Sequence, residues 1–122
     1  MEYELELRYP KYEVTTITSD DLPGVYAKVQ GSGQPTFTWN PDGDDSVIVV
    51  AGDDYSYINL QHDDSFYVLV VSEDEEEVVI VIGDNDTTVS RKALAPRELG
   101  LEVLRRADEV AWLLTEYTWE EE

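Results

Sequence analysis

The chain has 122 residues, no cysteine and a formal net charge of −20 at pH 7, with 28 acidic side chains against eight lysines and arginines. This length suits a single domain, residues 1–122, that buries a core without disulfides or thiolate metal sites. The charge excludes nucleic acid and anionic membranes as direct partners, because both would repel the chain. It favours association with a basic protein surface.

The N-terminal segment alternates between apolar and charged residues, with Tyr3, Leu5, Leu7 and Tyr9 on one face. A period of two residues predicts a half-buried strand that ends at Pro10. The segment lacks the basic and apolar regions of a secretory signal, and no apolar run approaches the roughly 20 residues of a membrane-spanning helix. The predicted location is therefore the cytoplasm.

The middle of the chain predicts a series of short strands, after a short candidate helix capped by Ser19 or Asp20 and a turn at residues 32–35. The predicted strands are residues 36–39, 47–51, 55–60, 66–71 and 78–82. The last two are nearly continuous apolar runs, which predicts central strands covered on both faces. The short acid-rich connections predict an antiparallel meander, in which the acidic run at residues 73–77 is a solvated hairpin turn.

The last third of the chain predicts one helix over residues 94–114, with Pro96 in its first turn and Glu98 near the positive end of its dipole. Gly100 weakens the first turn by about 1 kcal/mol relative to alanine. The predicted core stripe of this helix is Leu99, Val103, Ala107, Val110, Ala111 and Leu114.

A short final strand is expected around Tyr117 and Trp119, and both Trp112 and Trp119 are assigned to the core. The predicted fold class is α+β: an antiparallel β-meander of about six strands with one long C-terminal helix packed on one face.

Catalytic chemistry finds little support in the sequence. The one histidine, His62, lies in a turn-like stretch, which favours a surface position over the role of a catalytic base. No phosphate-binding loop, dinucleotide fingerprint or metalloprotease pattern is present. The acids at residues 40–45 and 83–86 do not fit the calcium loop of an EF-hand. The sequence therefore predicts a protein that is not an enzyme and that has no catalytic residue, metal or cofactor.

Aromatic residues among the acidic turns indicate a surface that docks on a basic protein. Tyr55 and Tyr57 are favoured for this role, because their alternate neighbours Ile58 and Leu60 are better core residues. The predicted partner-binding residues are Trp39, Asp42, Asp44, Asp45, Asp53, Asp54, Tyr55, Tyr57, Asp63, Asp64, Glu73, Asp74 and Glu75.

The order of elements from Thr36 onward resembles the immunity protein family often called Imm-one, whose members accompany the polymorphic toxins of bacterial competition systems. The matching features are a strand containing Trp39, a meander, a helix started by Pro96, and a closing strand in which Trp119 is followed by Glu120. The helical stripe from Leu99 to Ala107 corresponds to the family's helix. This resemblance predicts a protein that binds and blocks a cognate toxin.

The resemblance further implies that the toxin is a zinc-dependent nucleic-acid deaminase, of a kind that includes enzymes acting on cytosine in DNA. Such an enzyme holds a polyanion in a basic groove, so an acidic protein can occupy that groove in a one-to-one complex. Two alternatives stay open: a nucleic-acid mimic that inhibits another basic enzyme such as a nuclease toxin, and an acidic halophile-type structural domain without a dedicated partner. The toxin, its substrate and the oligomeric state are left open by the sequence.

Overall fold

The computed structural model describes residues 1–122. The strands are β1 (Glu2–Leu7), β2 (Glu13–Thr18), β3 (Thr36–Trp39), β4 (Ser46–Ala51), β5 (Ser56–His62), β6 (Ser65–Leu69), β7 (Glu77–Ile82), β8 (Asn85–Ser90), β9 (Leu94–Ala95) and β10 (Trp119–Glu121). The helices are α1 (Leu22–Lys28), α2 (Arg97–Arg105) and α3 (Val110–Glu116). The chain is α+β with a mostly antiparallel sheet, which confirms the predicted class.

The main sheet has seven strands in the order β10-β6-β5-β4-β3-β1-β2, and the two-residue β9 pairs with β5 beyond that order. Only the part from β3 to β6 is the predicted meander. β1 returns to pair with β3, which leaves β2 at one edge and β10 at the other. β7 and β8 form a separate two-stranded hairpin.

The helices cover one face of the main sheet, called here the inner face. Strands β4 and β5 contribute alternate residues to it, such as Val47 and Val49 opposite Leu60 and Ile58, and all four are buried. Period-two alternation places the other residues of each strand on the opposite, outer face. The predicted inward direction of Ile58 and Leu60 is confirmed, and Tyr57 lies on the outer face.

The C-terminal helix is not one long helix, so that part of the prediction is wrong. Residues 106–109 form a turn between α2 and α3, and the backbone at Arg106 leaves the helical region with φ −119°. The Arg106 guanidinium binds both oxygens of Glu109 at 2.9 and 3.0 Å and stacks on the Trp112 ring 3.4 Å from its centroid. These contacts stabilise the turn, and the apolar spacing of the sequence does not reveal it. No helix in the structure has both the length and the apolar character needed to cross a membrane.

The predicted core stripe is confirmed only in part because of this turn. Val103, Ala107 and Val110 are buried, whereas Ala111 is exposed and Leu113 takes the inward position after the turn. The remaining two stripe residues and both tryptophans are half-buried against the core: Leu99, Leu114, Trp112 and Trp119.

The two strands that were predicted to be covered on both faces, β6 and β7, each have one exposed apolar residue instead. Phe66 of β6 is 54% exposed and Val79 of β7 is 63% exposed. The acidic run at residues 73–77 is not a hairpin turn, because β6 pairs with β5 and β10 whereas β7 pairs with β8. The backbone of this run instead lies beside residues 90–92, where Arg91 N donates to Glu76 O at 2.8 Å and Lys92 N to Asp74 O at 2.9 Å.

Strand β1 is shorter than predicted, since it ends at Leu7. Tyr9 leaves the inner face, is half-exposed, and donates its hydroxyl to a carboxyl oxygen of Asp84 at 3.0 Å. Strands β2 and β8 were not predicted. Both are rich in threonine and acids or amides, and five of the six residues of β2 are exposed, so neither carries an apolar period.

Candidate functional site

The predicted partner-binding acids divide between two opposite ends of the sheet. Because β3, β4, β5 and β6 are antiparallel, the loops that follow β3 and β5 lie at one end. The turn after β4 and the segment after β6 lie at the other. The first end, called here the acidic end, carries Asp42, Asp44, Asp45, Asp63 and Asp64. The other end carries Asp53, Asp54, Tyr55, Glu73, Asp74 and Glu75.

The two loops of the acidic end are joined by His62. Its Nδ1 lies 2.8 Å from Asp45 Oδ1 and its Nε2 lies 3.3 Å from Asp63 Oδ2, so a protonated imidazole donates to one carboxylate of each loop. The amide of Asn40 also donates to Asp45 O at 2.7 Å. His62 is the last residue of β5 and is half-buried, and it holds the acidic loops together.

The turn between β5 and β6 consists of two aspartates in the left-handed region, Asp63 at φ 49° and Asp64 at φ 63°. Tight two-residue hairpins of this shape favour asparagine followed by glycine, because both positions need positive φ. The turn therefore carries two negative charges where an uncharged pair fits the backbone better.

The hydrogen bond to Asp45, reinforced by the charge of Asp63, raises the pKa of His62 above its usual value. Because the folded pKa is the higher one, the contribution of His62 to stability is complete below about pH 6.5, the unfolded pKa. It is lost as the pH rises through the folded pKa. We expect an NMR titration to give His62 a pKa above that of an unfolded peptide.

Two variants check the cause of this shift. Asp45→Asn is expected to lower the His62 pKa more than Asp63→Asn, because the Asp45 contact is shorter and the side chain of Asp63 is largely exposed. Equal pKa values in the wild-type chain and Asp45→Asn would contradict the geometry of this end.

At the opposite end several of the acids are already bound. Arg91 Nη1 lies 3.0 Å from Glu76 Oε2 and 3.8 Å from Asp74 Oδ2. Lys92 Nζ lies 2.7 Å from Glu75 Oε1 and 2.8 Å from Glu120 Oε2, and these hydrogen bonds raise the pKa of Lys92.

The β4–β5 turn is also engaged in internal contacts. Asp53 Oδ1 accepts a hydrogen bond from Gly31 N at 2.7 Å. Tyr55 is half-buried, and burial, followed by the charge of Asp53, raises the pKa of its hydroxyl. Most of the predicted residues at this end thus help to hold the fold together, whereas Glu73 and Asp54 are exposed and form no ion pair.

The predicted aromatics do not share one surface. Trp39 follows Phe37 at a spacing of two, so it lies on the inner face, half-buried against the core. Tyr57 lies on the outer face, where burial raises the pKa of its hydroxyl. Phe66 is one of the aromatics among the acidic turns but not one of the predicted partner-binding residues, and it is more exposed than Tyr57 on the outer face.

The side on which Phe66 lies follows from strand pairing. Leu60 of the inner face pairs with Tyr67, so Phe66 and Val68 point to the outer face. The sequence gives no such signal, because both alternate sets of residues 66–71 are apolar. Ile48, opposite Thr38 and Asn59, is an exposed apolar residue of this face that sequence reasoning missed.

An open cleft of about 610 Å³ lies away from the acidic end, between the end of β1 and α1. Leu5, Leu7, Val25 and Val29 supply its apolar walls, and Lys28 is its charged residue. No carboxylate lines it, so it does not belong to the acidic surface. No group of three or more histidine, aspartate or glutamate side chains is arranged to hold a metal ion.

Neither a scan against models of known protein families nor a search of curated proteins finds a match to this chain. The family resemblance noted in the sequence therefore stays a prediction.

Proposed function

We propose that this chain is an immunity protein that binds a basic toxin and blocks it without catalysis of its own. The observation that carries the proposal is uncompensated charge. No lysine or arginine forms an ion pair with Asp42, Asp44 or Asp64 of the acidic end. Residues 29–90 contain 14 acids and no lysine or arginine. Such a surface attracts a cationic partner over long range and speeds its association.

The toxin class that fits this surface is one that acts on nucleic acid, and the resemblance narrows it to a deaminase of cytosine in DNA. A deaminase needs a basic groove that holds the phosphates while the target base enters its pocket. Carboxylates held on short loops can occupy that groove and exclude the substrate. The proposal includes a one-to-one complex in the cytoplasm of the cell that produces the toxin.

A second candidate, an acidic domain whose charges serve only hydration in a salt-rich cytoplasm, is favoured by the scarcity of lysine. The chain has only Lys11, Lys28 and Lys92. The two candidates differ in their response to salt. An immunity protein should bind its toxin less tightly as salt rises, because screening weakens attraction between charged surfaces. A domain acidic for hydration alone has no such partner.

The test is a deamination assay with any toxin domain that is encoded beside the gene for this chain. We expect the conversion of cytosine in double-stranded DNA to fall to background at one equivalent of this chain. We also expect the triple variant Asp42→Asn/Asp44→Asn/Asp64→Asn to slow association with the toxin by about tenfold at low salt. The reason is that it removes three unpaired charges from the acidic end.

The matched control is Glu102→Gln/Asp108→Asn/Glu116→Gln, which removes three exposed acids of the helical side. This variant has the same net charge, and we expect it to slow association by less than about threefold. Deamination that continues at an excess of the wild-type chain would refute the proposed function. Equal effects of the two triple variants would refute the role of the acidic end.

A further inference from the structure

The outer face of the sheet has a part that no other element covers. The β7–β8 hairpin lies over one part, where Val50 of β4 and Ile80 of β7 line the same cleft and Val50 is only 4% exposed. Farther along the strands, toward the acidic end, Ile48 is 37% exposed and Phe66 is 54% exposed. Val68 lies in the same row as Ile48 and on the same strand as Phe66, and it is half-buried. We call the uncovered residues Ile48, Phe66, Val68, Thr38, Asn59 and Gln61 the open outer face.

Strand pairing aligns the open outer face into rows with acids at their borders. One row crosses six neighbouring strands in the order Glu4, Thr38, Ile48, Asn59, Val68 and Glu120. With strands about 4.8 Å apart, this row is roughly 24 Å long, which suits one side of a standard protein–protein interface.

A second row lies nearer the acidic end. It contains Ser46, Gln61 and Phe66. Glu122 continues it, because its backbone N donates to Phe66 O at 2.8 Å. The open outer face is therefore apolar and uncharged at its centre.

The borders of the open outer face carry net negative charge. At the β1 border Glu4 forms no ion pair. At the β10 border Lys92 is shared between two carboxylates, those of Glu120 and Glu75. A third border is the acidic end, where five aspartates have no lysine or arginine beside them and His62, which is charged only when protonated, contacts two of them. An uncharged centre with a charged rim is the usual anatomy of a protein–protein interface.

We propose that the open outer face is the docking surface for the basic partner, with Phe66 as its central anchor. This inference rests on the proposed function and adds which face is buried. The rim fits a partner that presents an apolar pocket or ridge among lysines and arginines. A second copy of the chain fits poorly, because two copies would bring the same acidic rims together.

The test compares two variants that each add one positive charge at an exposed apolar position. Phe66→Arg changes the open outer face, whereas Val71→Arg changes a residue beyond β6 that is 45% exposed. The probe is the catalytically inactive toxin domain, and the measurement is isothermal titration calorimetry. Circular dichroism and thermal unfolding confirm that both variants fold.

We expect Phe66→Arg to weaken the affinity by about 100-fold, because it removes an aromatic anchor and adds a repelling charge. We expect Val71→Arg to weaken it by less than about threefold, since only long-range charge changes.

Three outcomes would overturn the inference in different ways. Equal effects of the two variants, with tight wild-type binding, would refute the docking surface and leave the proposed function intact. A wild-type chain that does not bind the toxin domain would refute both. A wild-type dimer in light scattering that Phe66→Arg dissociates would assign this face to a second copy of the chain.

Discussion

Gly100→Ala is expected to lower the free energy of unfolding by about 2 kcal/mol, although the same change stabilises an ordinary helix by up to about 1 kcal/mol. Gly100 is buried in α2 where this helix crosses β4 and β5. A Cβ added there would lie 2.8 Å from Val49 Cγ1, 2.9 Å from Ser56 Cβ, and in collision with the Tyr26 hydroxyl.

These neighbours cannot easily move away from the added methyl group. Val49 and Ser56 lie on the central strands and are fully buried, and Ser56 Oγ donates to Pro96 O at 2.8 Å. The glycine that weakens the helix in isolation therefore lets the helix approach the sheet. Helix propensity and packing act in opposite directions here, and packing dominates because the core is close-packed.

Gly24→Ala in α1 is the matched control, because a Cβ at that position meets nothing within 4 Å. We expect this variant to gain about 0.5–1 kcal/mol of stability through helix propensity alone. Urea unfolding of both variants gives the comparison. A gain in stability for Gly100→Ala would show that α2 does not lie against the sheet at this distance.

Arg97→Met is expected to lower the free energy of unfolding by about 3 kcal/mol, because it removes a charged donor from three backbone acceptors. Arg97 Nε donates to Gly52 O at 2.9 Å, and its Nη2 donates to Tyr26 O at 2.8 Å and to Val29 O at 3.0 Å. The guanidinium also lies over the Tyr26 ring, 4.6 Å from its centroid.

One side chain thus joins the C-terminal end of α1, the β4–β5 turn and the start of α2. Tyr26 returns a hydrogen bond from its hydroxyl to Arg97 O at 2.6 Å. Burial raises the pKa of Tyr26 to about 12, so this hydroxyl stays protonated and donates at neutral pH. Methionine fills a similar volume without donors, and the three carbonyl groups would lose their partner.

Arg105→Met is the matched control in the same helix, because Arg105 is exposed and forms no hydrogen bond or ion pair. It changes the net charge by the same amount, and we expect its effect to stay within about 0.5 kcal/mol. Arg97→Lys should recover only part of the loss, since one ammonium group cannot match the fork geometry of arginine. Similar unfolding midpoints for Arg97→Met and Arg105→Met would contradict the role of Arg97.

The sequence predicts the central strands well, and for a physical reason. β3, β4 and β5 lie in the middle of the sheet, where one face is covered by helices, so their inward residues must be apolar at a spacing of two. Val49 and Ile58 follow this pattern. β2 and β8 have no comparable burial requirement, and their threonines and acids do not reveal a strand. Local pattern therefore misses strands whose residues no core selects.

Long-range pairing is the part that local pattern cannot provide. Nothing in the sequence of β1 indicates that it pairs with β3. Nothing in the sequence of β7 indicates that it leaves the main sheet and pairs with β8. The turn at Arg106 also depends on a side-chain contact with Trp112 that the helical spacing does not encode.

At the candidate site, the acidic turns after β3, β4 and β5 were predicted individually, but their grouping was not, and the predicted hairpin turn at residues 73–77 is wrong. Antiparallel topology brings Asp42 and Asp64 to one end and sends Asp53 to the other. The outward direction of Phe66 likewise follows from its pairing with Gln61.

We propose that this protein and nucleic acid compete for the same basic groove of a toxin. The most direct measurement is fluorescence anisotropy of labelled double-stranded DNA bound to the catalytically inactive toxin domain, during titration with this chain at several salt concentrations. We predict complete displacement of the DNA at one equivalent, with displacement weakening as salt rises. DNA that stays bound in a ternary complex with both proteins would contradict the claim.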